Sequence, residues 1–235
     1  SSILNARAEA DNPGTVCLLS TSLLRMVLAA VLCMGLLSGC GSFSATELVK
    51  NNLDLIYLNQ YTDDYLTRVG LDKEQADQEY EGGLEVEAEY FANTFDIDLD
   101  ICGDEIRQQI IDLYRQIYTH SKYEVGSQSR NGDTYLVQLT VYPIDIFQKV
   151  NDEDSEAFLA DLQERADAGE FVNMTDDEYE VVWAQAIIDM VSARIDSIGY
   201  LDPQTISVQV VKGEDNVYVI DDSDFNRIDS LIIAY

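Results

Sequence analysis

The chain has 235 residues, with 44 Asp and Glu against 14 Lys and Arg, which gives a formal charge of −30. Because 46% of the residues are hydrophobic, the sequence can bury a packed core, and wholesale disorder is excluded. So acidic a surface repels phosphate backbones, and no basic run makes a local exception, so nucleic acid is excluded as a partner.

The amino-terminal part of the chain has the layout of a secretory signal peptide. Arg25 precedes twelve apolar residues, Met26 to Leu37, and small residues follow them. A helix that spans a bilayer needs about 20 apolar residues, so twelve are too few unless the weaker stretch from Val16 is included. A retained membrane helix is therefore the alternative to a cleaved signal.

The end of this segment, Leu37-Ser38-Gly39-Cys40, resembles the lipobox of bacterial lipoprotein precursors at every position. In that family a peptidase cuts before the Cys, whose thiol carries a diacylglyceryl thioether. The resemblance implies cleavage between Gly39 and Cys40, with Cys40 as the lipidated first residue of the mature protein. Because two acyl chains give stable anchoring, it also implies a protein held on the extracytoplasmic face of the cell membrane.

The region before the apolar segment departs from that family. Residues 1–24 begin without Met, and their single base, Arg7, is offset by Glu9 and Asp11. The sequence is therefore interpreted either as a fragment with an upstream extension or as a reading frame that begins too far upstream. In both cases residues 1–39 are assigned to the signal and its extension.

Removal of residues 1–39 would leave a mature chain that still carries a charge of −30. With Cys40 lipidated, Cys102 is its one remaining thiol, so no intrachain disulfide is available and the fold depends on its core. No base lies beside Cys102 to favour the thiolate. We therefore expect a small buried hydrophobic side chain there rather than a nucleophile.

Residues 40–44 are predicted to be the lipidated Cys and a short tether, and residues 45–235 a single acidic α+β domain. Apolar side chains recur at helical spacing in several segments of this domain. These segments are residues 45–60, 73–95, 104–118, 155–168, 175–198 and 225–232. Gly82-Gly83 is expected to kink or break the second helix, since each Gly costs about 1 kcal/mol relative to Ala.

Period-two alternation predicts two β-hairpins between these helices. Residues 122–128 pair with 134–142, and residues 206–210 pair with 217–220. Asn131-Gly132 favours a tight turn in the first hairpin, because both residue types tolerate positive φ. The fold class predicted from this order is α+β, with a curved antiparallel sheet of two hairpins packed against several helices.

This order of long helices, a tyrosine-rich hairpin, more helix and a closing hairpin resembles the NTF2-like (cystatin-like) domains of many secreted bacterial lipoproteins. The resemblance covers about residues 45–235 and rests on architecture alone. It implies a sheet and helices around a cone, which is either a site for a small ligand or a peptide, or a filled core. The chain departs from the simplest form of that fold by two helices inserted between the hairpins.

The sequence contains no recognised catalytic, cofactor-binding or metal-binding motif. His120, the one histidine, follows the third helix and is expected to cap its last carbonyls. There is no Gly-x-Ser-x-Gly elbow and no glycine-rich phosphate loop after a strand, and one His with one free thiol does not make a zinc site. No catalytic residue, cofactor or resident metal is therefore predicted.

One acidic cluster is similar in spacing to a calcium site: Asp96, Asp98 and Asp100 are spaced like the first ligands of a calcium-binding loop. Ile101 and Arg107 occupy the positions that need a Gly and an acid, so a short extended segment with exposed acids is predicted instead. The remaining clusters are predicted to lie at helix N-termini, where the helix dipole stabilises negative charge. They are residues 152–154, 176–178 and 221–224.

The function predicted from these features is a lipid-anchored, non-enzymatic protein that binds a small molecule, a peptide or another envelope protein. Four strand tyrosines are expected to line a sugar or peptide groove or to pack in the core: Tyr123, Tyr135, Tyr142 and Tyr218. One alternative is a carboxylate-dependent hydrolase of envelope glycans, which needs two acids facing each other across a deep pocket. Another is a structural role in which divalent cations on the acidic surface mediate contacts with the envelope.

Overall fold

The computed structural model describes residues 43–213 and 217–235. The described residues form a four-stranded antiparallel sheet in the order β1-β2-β3-β4, with helices before, between and after its hairpins. The strands are β1 (Lys122–Asn131), β2 (Thr134–Tyr142), β3 (Gln204–Lys212) and β4 (Tyr218–Ile220). This architecture confirms the predicted α+β class with a curved antiparallel sheet.

The helices correspond closely to the predicted segments. They are α1 (Ala45–Leu58), α2 (Asp63–Val69), α3 (Lys73–Phe95), α4 (Leu99–Tyr118), α5 (Ile146–Lys149), α6 (Ser155–Asp167), α7 (Asp176–Ser192) and α8 (Asp222–Ile232). A π-helical turn, Val150–Asp154, joins α5 to α6, and a 3₁₀ turn, Ile195–Ser197, follows α7. Helices α2 and α5 were not predicted, because seven and four residues are too few to display a helical period.

Helix α3 is continuous through Gly82-Gly83, so the predicted break is wrong. Side chains on both sides of the glycines are buried, Tyr80 before them and Leu84 and Ala88 after them. The helix also begins with a capping box, in which Asp72 accepts a hydrogen bond from the Gln75 amide. This packing outweighs the cost of about 1 kcal/mol for each Gly.

The connection from α3 to α4 differs from the predicted extended segment. Asp96 ends α3 in the left-handed conformation (φ 55°), and the Asp98 carboxylate accepts hydrogen bonds from the amides of Asp100 and Ile101. An Asp that caps two amides starts a helix, and for this reason residues 98–100 are a helix start rather than a strand. The predicted distribution of burial is nevertheless found, with the Asp98 and Asp100 side chains outside and Ile97 inside.

Gly103 interrupts α4 with a backbone conformation that other residues do not adopt at low cost (φ 76°, ψ −173°). We expect Gly103→Ala to lower the free energy of unfolding by about 1–3 kcal/mol, because a Cβ is strained in this region of φ/ψ space even though no neighbouring atom obstructs it. Urea denaturation measures the change. Glu105→Ala, at an exposed position in the next turn, is the control, and equal stability of the two variants would contradict the expectation.

The first hairpin turns one residue later than predicted. Asn131 pairs with Thr134, so Gly132 and Asp133 form the two-residue turn, and Gly132 has φ 63°. The register between β1 and β2 shifts at Gly126-Ser127, which forms a bulge. The two strands of the second predicted hairpin are confirmed, because β4 pairs with residues 210–212 of β3. Residues 214–216, between these strands, lie outside the described residues.

The side of the sheet that faces the helices is a filled core. Five inward side chains of β2 and β3 are fully buried; they are Val137, Leu139, Val141, Val208 and Val210. They pack against apolar and aromatic side chains of α1, α3, α4 and α8, such as Tyr57, Phe91 and Tyr114. The space between sheet and helices is thus occupied by the protein's own side chains.

The buried face of α7 is rotated from the predicted stripe. Glu180, Ala184 and Ile187 are buried, whereas Tyr179 and Met190 are only half-buried. Glu180 lies inside because its carboxylate accepts the Asp98 amide hydrogen at 2.8 Å. A stripe of apolar residues does not reveal this acid, because its partner is a main-chain group 82 residues away.

Candidate functional site

The open face of the sheet is the candidate site. Side chains of a strand alternate between the two faces, and every second residue of β1, β2 and β3 points away from the helices. We call this surface the open sheet face; it comprises Lys122, Glu124, Ser127, Ser129, Leu136, Gln138, Thr140, Tyr142, Thr205, Ser207 and Gln209. Glu124 is the only acid in the four strands, although the chain has 44 acids, so this face differs in charge from the protein as a whole.

A groove of about 290 Å³ runs across the open sheet face. It is lined by Ser127, Ser129, Leu136, Gln138, Thr205, Ile206 and Ser207. The strand register places Gln138 directly beside Ser207, and the hydroxyls of Thr140 and Thr205 share a hydrogen bond of 2.8 Å. The groove therefore offers hydroxyl and amide groups beside apolar surface, and none of its lining residues is charged.

The bulge in β1 shapes one wall of this groove. Gly126 lies against β2 so closely that a Cβ there would be 3.4 Å from both the Cβ and the carbonyl oxygen of Gln138. A side chain at Gly126 would project over β2. The glycine therefore leaves the Gln138 amide accessible in the middle of the face.

One end of the open sheet face carries two tyrosines and a lysine. The Tyr142 and Tyr200 rings meet edge to face at 6.4 Å, and the Lys122 ammonium lies 4.1 Å from the Tyr142 ring centre. The Tyr142 hydroxyl donates to the Glu124 carboxylate at 2.8 Å, and this hydrogen bond raises the pKa of Tyr142. Tyr200 is 39% exposed, so an aromatic surface is available at this end.

His120 is close to that end and makes two main-chain hydrogen bonds there. Its backbone amide donates to the Ile117 carbonyl at 3.0 Å, and its carbonyl accepts the Tyr200 hydroxyl at 2.8 Å. The residue thus closes α4 through its main chain and orients Tyr200. His120 therefore lies at the end of α4 as predicted, and capping by its side chain stays a prediction.

Helix α8 covers the edge of β3 beside the groove. Asp224, which is 5% exposed, accepts the Gln209 amide hydrogen at 2.7 Å, and Arg227 bonds both Asp224 and the Ser207 carbonyl. Asp221 caps the helix by accepting the Ser223 amide hydrogen at 3.0 Å, as predicted for this cluster. The helix thus pairs main-chain groups that would otherwise be left at a sheet edge.

We expect Asp224→Ala to lower the free energy of unfolding by about 1–3 kcal/mol, because the Gln209 amide loses its acceptor in a partly buried place. Asp224→Asn keeps an oxygen acceptor and is expected to cost less. Thermal denaturation followed by circular dichroism compares the two variants. A larger loss for Asn than for Ala would contradict the role given to this hydrogen bond.

Three of the four strand tyrosines lie on the helix side of the sheet, which agrees with core packing, the alternative to a groove for these residues. Tyr135 and Tyr218 are buried on the helix side. Tyr123 donates to Asp54 of α1 at 2.7 Å, and burial together with this hydrogen bond raises the pKa of Tyr123 well above its usual range. Only Tyr142 of the four belongs to the open sheet face. Cys102 packs against the core but is only half-buried, whereas a buried side chain was expected.

The acids around the start of α4 line an open depression of about 530 Å³. Three of these carboxylates are bonded to the chain itself: Asp98 caps α4, Glu180 accepts the Asp98 amide hydrogen, and Glu89 bonds Arg107 at 2.5 Å. The Glu89 bond raises the pKa of Arg107. These contacts give the acids structural roles. Among residues 43–213 and 217–235, no group of three His, Cys, Asp or Glu side chains is placed to hold a metal ion.

The acidic cluster at residues 152–154 directly precedes α6, as predicted, but Asp154 at the N-cap position makes no side-chain hydrogen bond to the helix amides. It lies in the π-helical turn, where Glu153 and Asp154 pair with Arg194 at 2.7 and 2.5 Å. A guanidinium near both carboxylates gives a stronger interaction than a helix dipole at an exposed end. The cluster at residues 176–178 behaves as predicted, because Glu178 completes a capping box with Thr175.

The predicted lipidation site is not part of the described structure. Gly39 and Cys40, with the rest of residues 1–42, lie outside the described residues, which begin with Phe43. Within the described part of the chain, no helix combines the length and the apolar character needed to cross a bilayer.

Comparison with known proteins identifies a similar fold. No family model matches the chain, and no curated protein matches it. The fold is similar to the crystal structure of ycdA from Bacillus subtilis, described as a candidate lipoprotein, with a TM-score of 0.54. The two sequences are 14% identical, and the match covers 81% of this chain and 56% of that chain. The similarity establishes a shared fold, and this chain spans little more than half of that protein's length.

Proposed function

We propose that this protein is a lipoprotein whose mature form begins at diacylglyceryl-Cys40 on the extracytoplasmic face of the cell membrane, and that its domain is a non-enzymatic binding module. The ligand that we propose is a neutral glycan chain, bound across the open sheet face. We also propose that the domain is NTF2-like, because its helices and hairpins follow one another along the chain in the order that such domains have. Binding of divalent cations to the acidic helical surface stays a prediction.

The lipobox carries the proposal for the anchor. Leu37-Ser38-Gly39-Cys40 directly follows an apolar segment of signal-peptide length, and the described domain starts three residues later at Phe43. A protein of similar fold is itself described as a candidate lipoprotein, which supports the same membrane location. A domain that begins this close to the cleavage site needs no further segment to reach the membrane.

The charge contrast of the open sheet face carries the proposal for the ligand. In a chain with a formal charge of −30, a groove lined by hydroxyl, amide and aliphatic side chains favours a ligand without charge. Hydroxyl and acetamide groups of a sugar chain match such donors and acceptors, and the faces of Tyr142 and Tyr200 offer stacking surfaces at one end. Anionic polymers are repelled by the surrounding acids.

Binding of the full-length protein to an array of neutral and acidic glycans tests the ligand proposal. We expect signals on neutral chains and none on acidic ones. Gln138→Ala is expected to weaken the neutral signals about tenfold, because one hydrogen bond to the ligand is worth about 1–1.5 kcal/mol. Gln108→Ala, which removes the same side chain from an exposed position on α4, is the matched control.

Two results would contradict this proposal. One is binding to acidic glycans alone, or to none. The other is an equal loss for Gln138→Ala and Gln108→Ala, which would place the ligand elsewhere on the surface.

A further inference from the structure

Phe43 fixes the place where the tether enters the domain. Its ring stacks on the Tyr218 ring, with ring centres 4.3 Å apart, and contacts the Tyr135 ring at a tilt, with ring centres 5.1 Å apart. The next residue, Ser44, caps α1 by accepting the Glu47 amide hydrogen. Stacking on two rings and the adjoining cap hold the chain to one point of the surface.

This point lies at one end of the sheet, which we call the hairpin end. The hairpin end comprises Arg130, Asp133, Tyr135, Lys212 and Tyr218, close to the turn of the first hairpin and the start of the second turn. The opposite end, the far end, comprises Thr119, Lys122, Tyr142 and Tyr200. Strand β2 runs from one to the other over nine residues, a length of about 26 Å.

Helix α1 confirms this arrangement, because it runs beside β1 from the hairpin end towards the far end. The Thr46 amide near its start donates to Gln128 at 3.0 Å, and Asp54 near its end accepts the Tyr123 hydroxyl at 2.7 Å. The tether and the first turn of α1 therefore lie together at the hairpin end.

We propose that the hairpin end faces the lipid bilayer, an inference that rests on the proposed anchor at Cys40. Two residues, Gly41 and Ser42, lie between Cys40 and Phe43, and the three extended Cα–Cα steps that join Cys40 to Phe43 span at most about 11 Å. The sheet is about 26 Å long, so this tether cannot reach a bilayer placed against the far end. The lipid on Cys40 thus brings the bilayer to the hairpin end.

Tether length, rather than charge, determines this orientation. Arg130 and Lys212 both lie near Asp133, at 3.7 and 3.8 Å, and Glu214 and Asp215 follow Lys212 by two and three positions in the sequence. These five side chains sum to one negative charge, so anionic lipid does not attract them. The orientation is therefore expected to be independent of salt.

The orientation places the open sheet face on the side of the molecule and its tyrosine end outermost. Tyr142 and Tyr200 then lie about 26 Å farther from the bilayer than the first hairpin turn. A glycan chain would meet these rings first, from the side away from the membrane.

Fluorescence quenching by lipid measures the orientation. The full-length chain, produced in a bacterium, receives a fluorophore at Asp133→Cys or at Thr119→Cys, each in a Cys102→Ser background and each in an exposed turn. The purified protein is placed in phosphatidylcholine–phosphatidylglycerol vesicles whose headgroups carry a nitroxide. Quenching is expected to be about threefold or more stronger at 133 than at 119, given the separation of about 26 Å. The ratio is expected to be the same at low and high salt.

The same samples separate the two proposals. Intact mass first shows whether Cys40 carries the diacylglyceryl group. With the adduct present, equal quenching at both positions means that the domain lies flat, and stronger quenching at 119 means that it is inverted; either result overturns the orientation and leaves the anchor standing. Without the adduct, the anchor fails and the orientation fails with it.

Discussion

Cys40→Ala is expected to abolish fatty-acid incorporation completely when the chain is produced in a bacterium. The thioether forms on the Cys40 thiol, and in the lipoprotein pathway cleavage before this residue follows lipidation. The variant is therefore expected to keep the residues that precede position 40 and to migrate more slowly on a denaturing gel. Metabolic labelling with a radioactive fatty acid, followed by immunoprecipitation, measures the effect.

Cys102→Ser is the matched control for this experiment, because it removes the other thiol of the predicted mature chain. It is expected to incorporate as much fatty acid as the wild type. Label retained in Cys40→Ala, or lost in Cys102→Ser, would show that the acyl group is not on Cys40.

Trp183→Ala is expected to lower the free energy of unfolding by about 3–5 kcal/mol, the usual cost of truncating a buried aromatic side chain. Trp183 is 4% exposed, its indole donates to the Phe95 carbonyl at 2.9 Å, and its ring meets Phe158 edge to face at 5.8 Å. It thereby joins α7 to the end of α3. A loss of this size is a large part of the about 5–15 kcal/mol that stabilises a typical protein.

Urea denaturation followed by far-ultraviolet circular dichroism measures this loss, since Trp183 is the one tryptophan and its fluorescence disappears with it. Trp183→Phe keeps most of the buried ring and loses the hydrogen bond to the Phe95 carbonyl. It is expected to cost about 1–3 kcal/mol, the penalty for an unpaired buried group. A variant with Phe that is as unstable as the one with Ala would contradict the importance given to ring packing.

The sequence predicts elements whose signals are local. Thr175 and Glu178 form the capping box that their spacing indicates, and the alternation from Tyr135 to Val141 marks the buried side of β2. Such signals succeed because capping and strand alternation involve residues within a few positions of one another. The fold class follows from their order along the chain.

The errors arise where distant residues decide local structure. Glu180 is buried because the Asp98 amide is its partner, and Glu153 and Asp154 pair with Arg194 across 40 residues or more. The helix at Gly82-Gly83 is continuous because the flanking side chains are packed. None of these tertiary contacts is visible in a single sequence, where helix propensity and dipole arguments give the opposite result.

Catalytic motifs did not predict the open sheet face, although the sequence contains a signal for it. In a chain so rich in acids, the outward positions of β2 and β3 hold residues such as Gln138, Thr205 and Ser207 and no acid. The strand tyrosines were a poorer guide to this face, because three of the four point towards the helices. The absence of charge in alternating strand positions was the more informative pattern.

Top-down mass spectrometry of the wild-type chain, isolated from bacterial membranes, shows whether the protein is anchored through Cys40. We expect a chain that begins at Cys40 and carries a diacylglyceryl group on that residue. A chain that retains residues before Cys40, or a Cys40 with an unmodified thiol, would contradict it and leave the acidic domain without its lipid anchor.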